Sequence, residues 1–160
     1  MAKEGLMYWD SDVFLSYINA YPDRARIIEA ILDKVSNDQS IKIVTSTISR
    51  VEVAWSAIEY LNRTLSQEEE DGIDALLGNQ SVVELVDFND TIALIAREHM
   101  RNAMEKRGKK LRTNDAIHLA SAIWVNAVEL NTYNLKDYRY FEQFVEFPIR
   151  EPSLEQPRLL

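Results

Sequence analysis

Residues 6–14, LMYWDSDVF, decide how this chain is read. Leu6, Met7, Tyr8 and Trp9 form a compact apolar run, too short for a buried helix and suited to a central strand, and the run stops at Asp10. A turn or helix start follows. Outward from here the pattern repeats. Ile27, Ile28, Ile31, Leu32 and Val35 recur at helical spacing over Asp23 to Val35, until the Asn37-Asp38-Gln39-Ser40 cluster breaks it. Ile41 to Thr45 reads as a second strand and Thr47 to Leu61 as a helix. Ser66 and Glu69 form a capping-box pattern opening a helix to Leu77, stopped by Gly78-Asn79. Ser81 to Val86 is a third strand. Asn89 caps a long helix running to Lys106 before Gly108, and another helix spans Asn114 to Val125. Val128 to Asn131 is then a strand and Phe144 to Phe147 a last edge strand. Strands alternating with helices predict an α/β fold, three layers around a mainly parallel sheet. One domain over 1–147 is expected, followed by an extended tail over 148–160 marked by Pro148, Pro152 and Pro157, an arm for a partner or a second copy.

Composition limits the functions available. At 160 residues, with 46% hydrophobic and 28% charged, the chain can sustain its own core. No run approaches the roughly 18–20 apolar residues of a membrane helix, and MAKEGLMYWD lacks a signal peptide's apolar stretch, so a cytoplasmic location is expected. The absence of cysteine excludes disulfides, thiolate metal sites and cysteine nucleophiles. Any metal must be held by oxygen or by the two histidines, His99 and His118.

Acidic residues fall where strands give way to helices, which is where open α/β sheets bind ligands. Asp10 and Asp12 follow the first strand, Glu52 lies early in the helix after the second, and Asp115 opens the helix after a basic stretch. Asn134 and Asp137 follow the fourth strand. An all-oxygen set suits Mg²⁺ or Mn²⁺, and two such ions about 3.5–4 Å apart would activate water against a phosphodiester without a side-chain nucleophile. Each acid also has a plainer role: carboxylates favour helix N-termini, and Ser49-x-x-Glu52 fits a capping box. The joint pattern at four junctions carries the argument.

With these residues in view, the chain resembles the PIN-domain ribonucleases, and in style the VapC-like toxins of toxin–antitoxin pairs. YWDSDVF is similar to the family's first motif, SRVEVAW to its second, LRTNDAIHLASAIW to its third and LNTYNLKDY to its fourth. The resemblance spans Leu6 to Tyr138. It implies a metal-dependent endoribonuclease in which Asp10, Glu52, Asp115 and Asp137 are catalytic metal ligands, with Ser11, Asp12, Thr132 and Asn134 in support. It further implies two Mg²⁺ or Mn²⁺ ions, an RNA substrate such as tRNA, a cognate antitoxin and a homodimer. Asn134 stands where many relatives carry Asp, which implies a weaker second metal site, and Tyr138 replaces the more usual Phe. Asp10-Ser11-Asp12 also resembles the Asp-x-Asp loop of haloacid-dehalogenase-type phosphatases, but that chemistry needs a lysine and a closing acidic pair in other contexts. A catalytically silent PIN-like module binding RNA or protein is the alternative from another class.

The net charge of −8 is unevenly spread. Arg97 to Arg112 holds seven basic and two acidic residues, whereas Leu65 to Ala96 holds eight acids and no Lys or Arg. The basic stretch leads into Asp115, so Lys109, Lys110 and Arg112 are candidate RNA contacts, with a solvated helix end as the plainer reading. His118, one helical turn after Asp115, could orient an Asp or contact phosphate, with packing as the expectation; His99 is expected in the core. Tyr133, Tyr138, Tyr140, Phe141, Phe144 and Phe147 could stack bases, with core and interface packing the safer reading.

Overall fold

The computed structural model describes residues 5–38 and 40–155. Five parallel strands, β1 (Gly5–Trp9), β2 (Ile41–Ser46), β3 (Val83–Val86), β4 (Glu129–Asn131) and β5 (Ile149–Arg150), form one sheet in the order β3-β2-β1-β4-β5. β1 is central: Gly5 to Tyr8 pair with Ile41 to Val44 on one side, and Met7 to Trp9 with Glu129 to Asn131 on the other. The strand order therefore reverses beside β1, and the carboxyl ends of β1 and β4 open the crevice expected at such a switch point.

The helices are α1 (Ser11–Ile18), α2 (Pro22–Asn37), α3 (Ser49–Leu61), α4 (Gln67–Leu77), α5 (Asp90–Arg107), α6 (Thr113–Trp124) and α7 (Leu135–Tyr138), with a 3₁₀ turn over Arg139–Phe144. Alternation along β1 separates two cores. Met7 and Trp9 pack with Val13, Phe14, Ile28, Ile31, Val53 and Leu77 from α1 to α4. Tyr8 packs on the other face with Ile92, Ala96, Ala116, Leu119 and Tyr138 from α5 to α7. This is the expected three-layer α/β/α arrangement. Residues Ala116 to Ala122 of α6 are buried without a break, so its small side chains bring Asp115 close to the sheet. Among the described residues no helix is long and apolar enough to cross a membrane.

The foreseen caps form. Ser66 Oγ accepts from the Glu69 N–H (3.2 Å) while Glu69 Oε2 accepts from the Ser66 N–H (2.7 Å), and Asn89 Oδ1 accepts from the Ile92 N–H (2.9 Å). Gly108 ends α5 at φ 59°, a left-handed conformation that glycine adopts without a Cβ penalty.

One strand lies elsewhere than expected. Phe144 closes the 3₁₀ turn, and the edge strand is Ile149–Arg150, inside the segment read as tail. Pro148 lacks a donor, yet its carbonyl accepts from the Leu130 N–H (3.0 Å), which is the pairing an edge proline can still make. The buried Glu129 carboxylate anchors this edge by accepting from Arg150 Nε (2.7 Å). Beyond it, Arg150 Nη2 donates to the Glu155 carbonyl (2.8 Å) and Lys34 Nζ to that of Leu154 (3.5 Å), so the chain lies along its own domain as far as Glu155. Pro157 falls outside the described residues.

Candidate active site

Asp10 leaves the end of β1 nearly fully buried. It precedes α1 as the N-cap residue but makes no side-chain capping bond, so the helix does not consume its carboxylate. Oδ1 of Asp10 and Oδ2 of Asp115 are both buried without a hydrogen-bond partner. Burial, reinforced by the neighbouring charges of Asp12 and Asp115, pushes the Asp10 carboxyl well above its ordinary range. Asp115 is also raised, by burial against the opposing pull of Arg112 and a hydrogen bond from Tyr138. Tyr138 Oη donates to Asp115 Oδ1 (3.2 Å), and burial, then the charges of Asp10 and Asp115, keep that phenol protonated.

The other two acids stand differently. Glu52 lies in the first turn of α3, but Ser49 turns to Thr45 Oγ1 (2.7 Å) and no side chain caps the helix, so the capping-box role does not materialise. Instead Glu52 Oε1 meets His118 Nε2 (2.5 Å) and Oε2 accepts from Asn114 Nδ2 (3.0 Å). Burial pushes Glu52 up, but His118, Asn114 and Ser11 together outweigh it and hold the carboxyl below its ordinary range. Asp137 Oδ2 accepts from Asn134 Nδ2 (2.7 Å) and Arg112 Nη2 (3.1 Å). The Asn134 bond first, then Arg112, lowers its carboxyl despite partial burial.

The supporting residues knit two strand ends together. Asp12 accepts from Thr132 Oγ1 (3.3 Å) and from the Tyr133 N–H (3.2 Å), and Thr132 Oγ1 in turn accepts from the Asn134 N–H (2.9 Å). These bonds tie the start of α1 to the loop after β4, fixing the crevice walls.

Among the described residues, no three acidic or histidine side chains stand close enough together to hold one metal ion. The donor set nevertheless fits a hard cation at Asp10 and Asp115. Two unpartnered carboxylate oxygens, all-oxygen surroundings and mutual repulsion are what a divalent ion would resolve. On the second side, the Arg112 guanidinium already sits 3.1 Å from Asp137 and 3.6 Å from Asp115.

The end of the basic stretch lies beside these acids through Arg112. Lys109 Nζ donates to the Lys136 carbonyl (3.0 Å), Lys110 is exposed, and Arg112 lies on the acids with 74% of its side chain accessible. Of the C-terminal aromatics, Tyr138, Phe141 and Phe147 are buried core. Tyr133 lies under Arg24 (4.1 Å), Tyr140 under Arg107 (5.1 Å) and Phe144 under Lys106 (5.0 Å). His99 is half-buried and packs edge-on against Phe141. Sequence reasoning gave no site role to Tyr8 or Asn114 and read Tyr138 as a stacking candidate, and His118, left as a packed residue that could orient an Asp, bonds Glu52. For Tyr138 and Asn114 a signal existed, in the hydroxyl gained over phenylalanine and in the amide beside Asp115.

Carboxylates from three strand-to-helix junctions, and a fourth at the start of α6 after the α5–α6 loop, gather at the switch point of a parallel sheet, which defines a class of acid-lined α/β domain. Within that class the chain belongs to the PIN-domain family, whose sequence model matches residues 7–140. Solved structures similar in fold include VapBC2 from Rickettsia felis bound to a DNA fragment from its promoter, at 21% identity and TM-score 0.64, covering 91% of this chain and 98% of that one. VapBC-1 from nontypeable Haemophilus influenzae matches at 20% identity and TM-score 0.66, covering 91% and 97%. Mycobacterium tuberculosis VapC20, described as a Sarcin-Ricin loop cleaving toxin, matches at 12% identity and TM-score 0.62, covering 84% and 94%. No curated protein is similar to the chain in sequence.

Proposed function

We propose that this protein is a metal-dependent endoribonuclease acting in the cytoplasm as the toxin of a type II toxin–antitoxin pair. The observation that carries the reading is the pair of buried, unpartnered carboxylate oxygens on Asp10 and Asp115 in a PIN domain. Membership of that family and the fold shared with VapBC complexes support the nuclease and the antitoxin partner; the VapC20 description supports structured RNA, tRNA among the candidates.

Asp10 and Asp115 would hold the first Mg²⁺ or Mn²⁺, with Glu52 as a third carboxylate drawn in when the ion binds. A bound divalent ion supplies a nucleophilic water at neutral pH and a Lewis acid for the phosphodiester. Asp137 faces the second ion's place, where Arg112 competes with it. Asp12 and Thr132 keep the two strand ends in register, while Ser11 and Asn134 brace Glu52 and Asp137 respectively. Lys109, Lys110 and Arg112 meet RNA phosphates and leave the acidic flank facing away. A homodimer is part of this reading, testable by sedimentation.

The test is cleavage of cellular RNA by purified protein with Mn²⁺, read by sequencing new 5′ ends. Wild type creates discrete ends and Asp10→Asn none; equal patterns from both would end the proposal. The Arg112 pair on Asp137 favours a second reading, a silent binding module, in which Mn²⁺ at millimolar concentration finds no site at all.

A further inference from the structure

His118 sits on α6 with 1% of its surface accessible, between Tyr8 of β1 and Glu52 of α3. Its Nδ1 lies 2.7 Å from Tyr8 Oη and its Nε2 2.5 Å from Glu52 Oε1. Counting hydrogens assigns the direction of each bond. A carboxylate only accepts, so the hydrogen opposite Glu52 must be on Nε2. Tyr8 Oη already accepts from the Ser46 N–H (3.1 Å). Two hydroxyls beside it have given their hydrogens elsewhere, Thr45 to the Trp9 carbonyl and Ser121 to that of Ile117 (both 2.7 Å). A neutral His118 has a single ring hydrogen, the one on Nε2, so its Nδ1 is bare and accepts the Tyr8 O–H, for which Nδ1 is the acceptor within hydrogen-bond geometry.

We propose that Tyr8 and His118 form a buried relay, Ser46 N–H to Tyr8 O–H to His118 Nδ1 and His118 Nε2–H to Glu52, which makes His118 the positioning residue for the Glu52 carboxylate. Each link comes from a different element: β2, β1, α6 and α3. Glu52 is thereby held at one oxygen by His118 and at the other by Asn114, with its plane fixed before any ion arrives. A ligand fixed this way binds without first losing its own rotational freedom, as with the outer partners that orient metal-bound histidines and carboxylates. The inference rests on Glu52 belonging to the metal site, but its first test does not.

Long-range ¹H–¹⁵N NMR of His118 in the metal-free protein reads the tautomer directly. The relay requires a protonated Nε2 and a bare Nδ1, with Tyr8→Phe shifting the Nδ1 resonance while the fold is retained. A protonated Nδ1, with or without a proton on Nε2, overturns it. The second measurement is Mn²⁺ affinity. His118→Leu should weaken it about 10–100-fold, and His118→Gln, which returns an N–H opposite Glu52, should recover most of the loss. Should His118→Leu fail to fold, Tyr8→Phe stands in, with a smaller loss expected. Equal affinity in wild type and His118→Leu, or in wild type and Tyr8→Phe should His118→Leu fail to fold, would reduce His118 to packing and overturn the positioning role. If tautomer and affinity behave as described while no RNA is cut, the nuclease reading fails and the relay stands.

Discussion

Asp10 and Asp115 on one side, and Glu52 and Asp137 on the other, are the same chemistry in opposite states. Asp10 is buried and Asp115 half-buried, each has one carboxylate oxygen buried without a hydrogen-bond partner, and both carboxyls are pushed up. The second two are held by His118, Asn114, Arg112 and Asn134, and both are pushed down. The protein answers the charges of one half of this acidic set with its own donors and leaves an oxygen of each carboxylate in the other half without a hydrogen-bond partner. Desolvation decides the first pair, because Thr132 at Asp10, and Arg112 and Tyr138 at Asp115, do not outweigh it; at the second it is outvoted by two or more donors.

The largest break in this contrast comes from removing the unpartnered half. Asp10→Asn and Asp115→Asn should each lower RNA cleavage by more than about 100-fold, since even the outer partners of a metal are worth ~10–100-fold. Activity within a few-fold of wild type would remove the contrast's meaning. Glu52→Gln comes next, with a loss of about 10–100-fold and weaker Mn²⁺ binding, measured by single-turnover cleavage and titration.

Stability gives a smaller effect of opposite sign. For Asp10 and Asp115 the folded carboxyls are raised, so the metal-free fold is favoured below their ordinary value of 3.8 and loses that advantage as pH rises through the raised values. Glu52 and Asp137 are lowered, so their contribution is present above the ordinary values and lost as pH falls through the lowered ones. Asp10→Asn should therefore raise the metal-free Tm at neutral pH, by about 2–4 °C per kcal/mol recovered. The gain should shrink toward pH 4 and reverse with Mn²⁺; calorimetry at three pH values reads it. Smallest is Arg112→Ala, whose exposed pair should cost less than ~1 kcal/mol. It should ease occupancy of the second cation site and reduce the salt slope of RNA binding by about 1.

The layers were legible because they rest on local signals. A four-residue apolar run ending in an acid, a capping box at Ser66 and a glycine stop at Gly108 each have a local cause that the fold does not override. β5 was misread because Phe144 to Phe147 carries the apolar character while Ile149–Arg150 carries the pairing. What selects the latter is the buried Glu129 some twenty residues earlier, a tertiary cause. At the site, Asp10, Glu52 and Asp137 stood out because they follow strand ends, and Asp115 because it opens a helix after a basic stretch. Their division into partnered and unpartnered halves was not legible. It depends on Tyr8, 110 positions from His118, and on Asn114, 62 from Glu52, meeting across the sheet. Net charge was the poorest guide, because the acids at the crevice and the basic stretch above them cancel in the sum while doing opposite work.

Calorimetric titration of Mn²⁺ into wild type, Asp10→Asn, Asp115→Asn and Asp137→Asn at pH 7.5 (roughly the unperturbed α-amino range) tests the central claim most directly. The account predicts one tight site in wild type, lost in the first two variants and retained in the third. A tight site that survives Asp10→Asn and Asp115→Asn, or that disappears with Asp137→Asn alone, would contradict it.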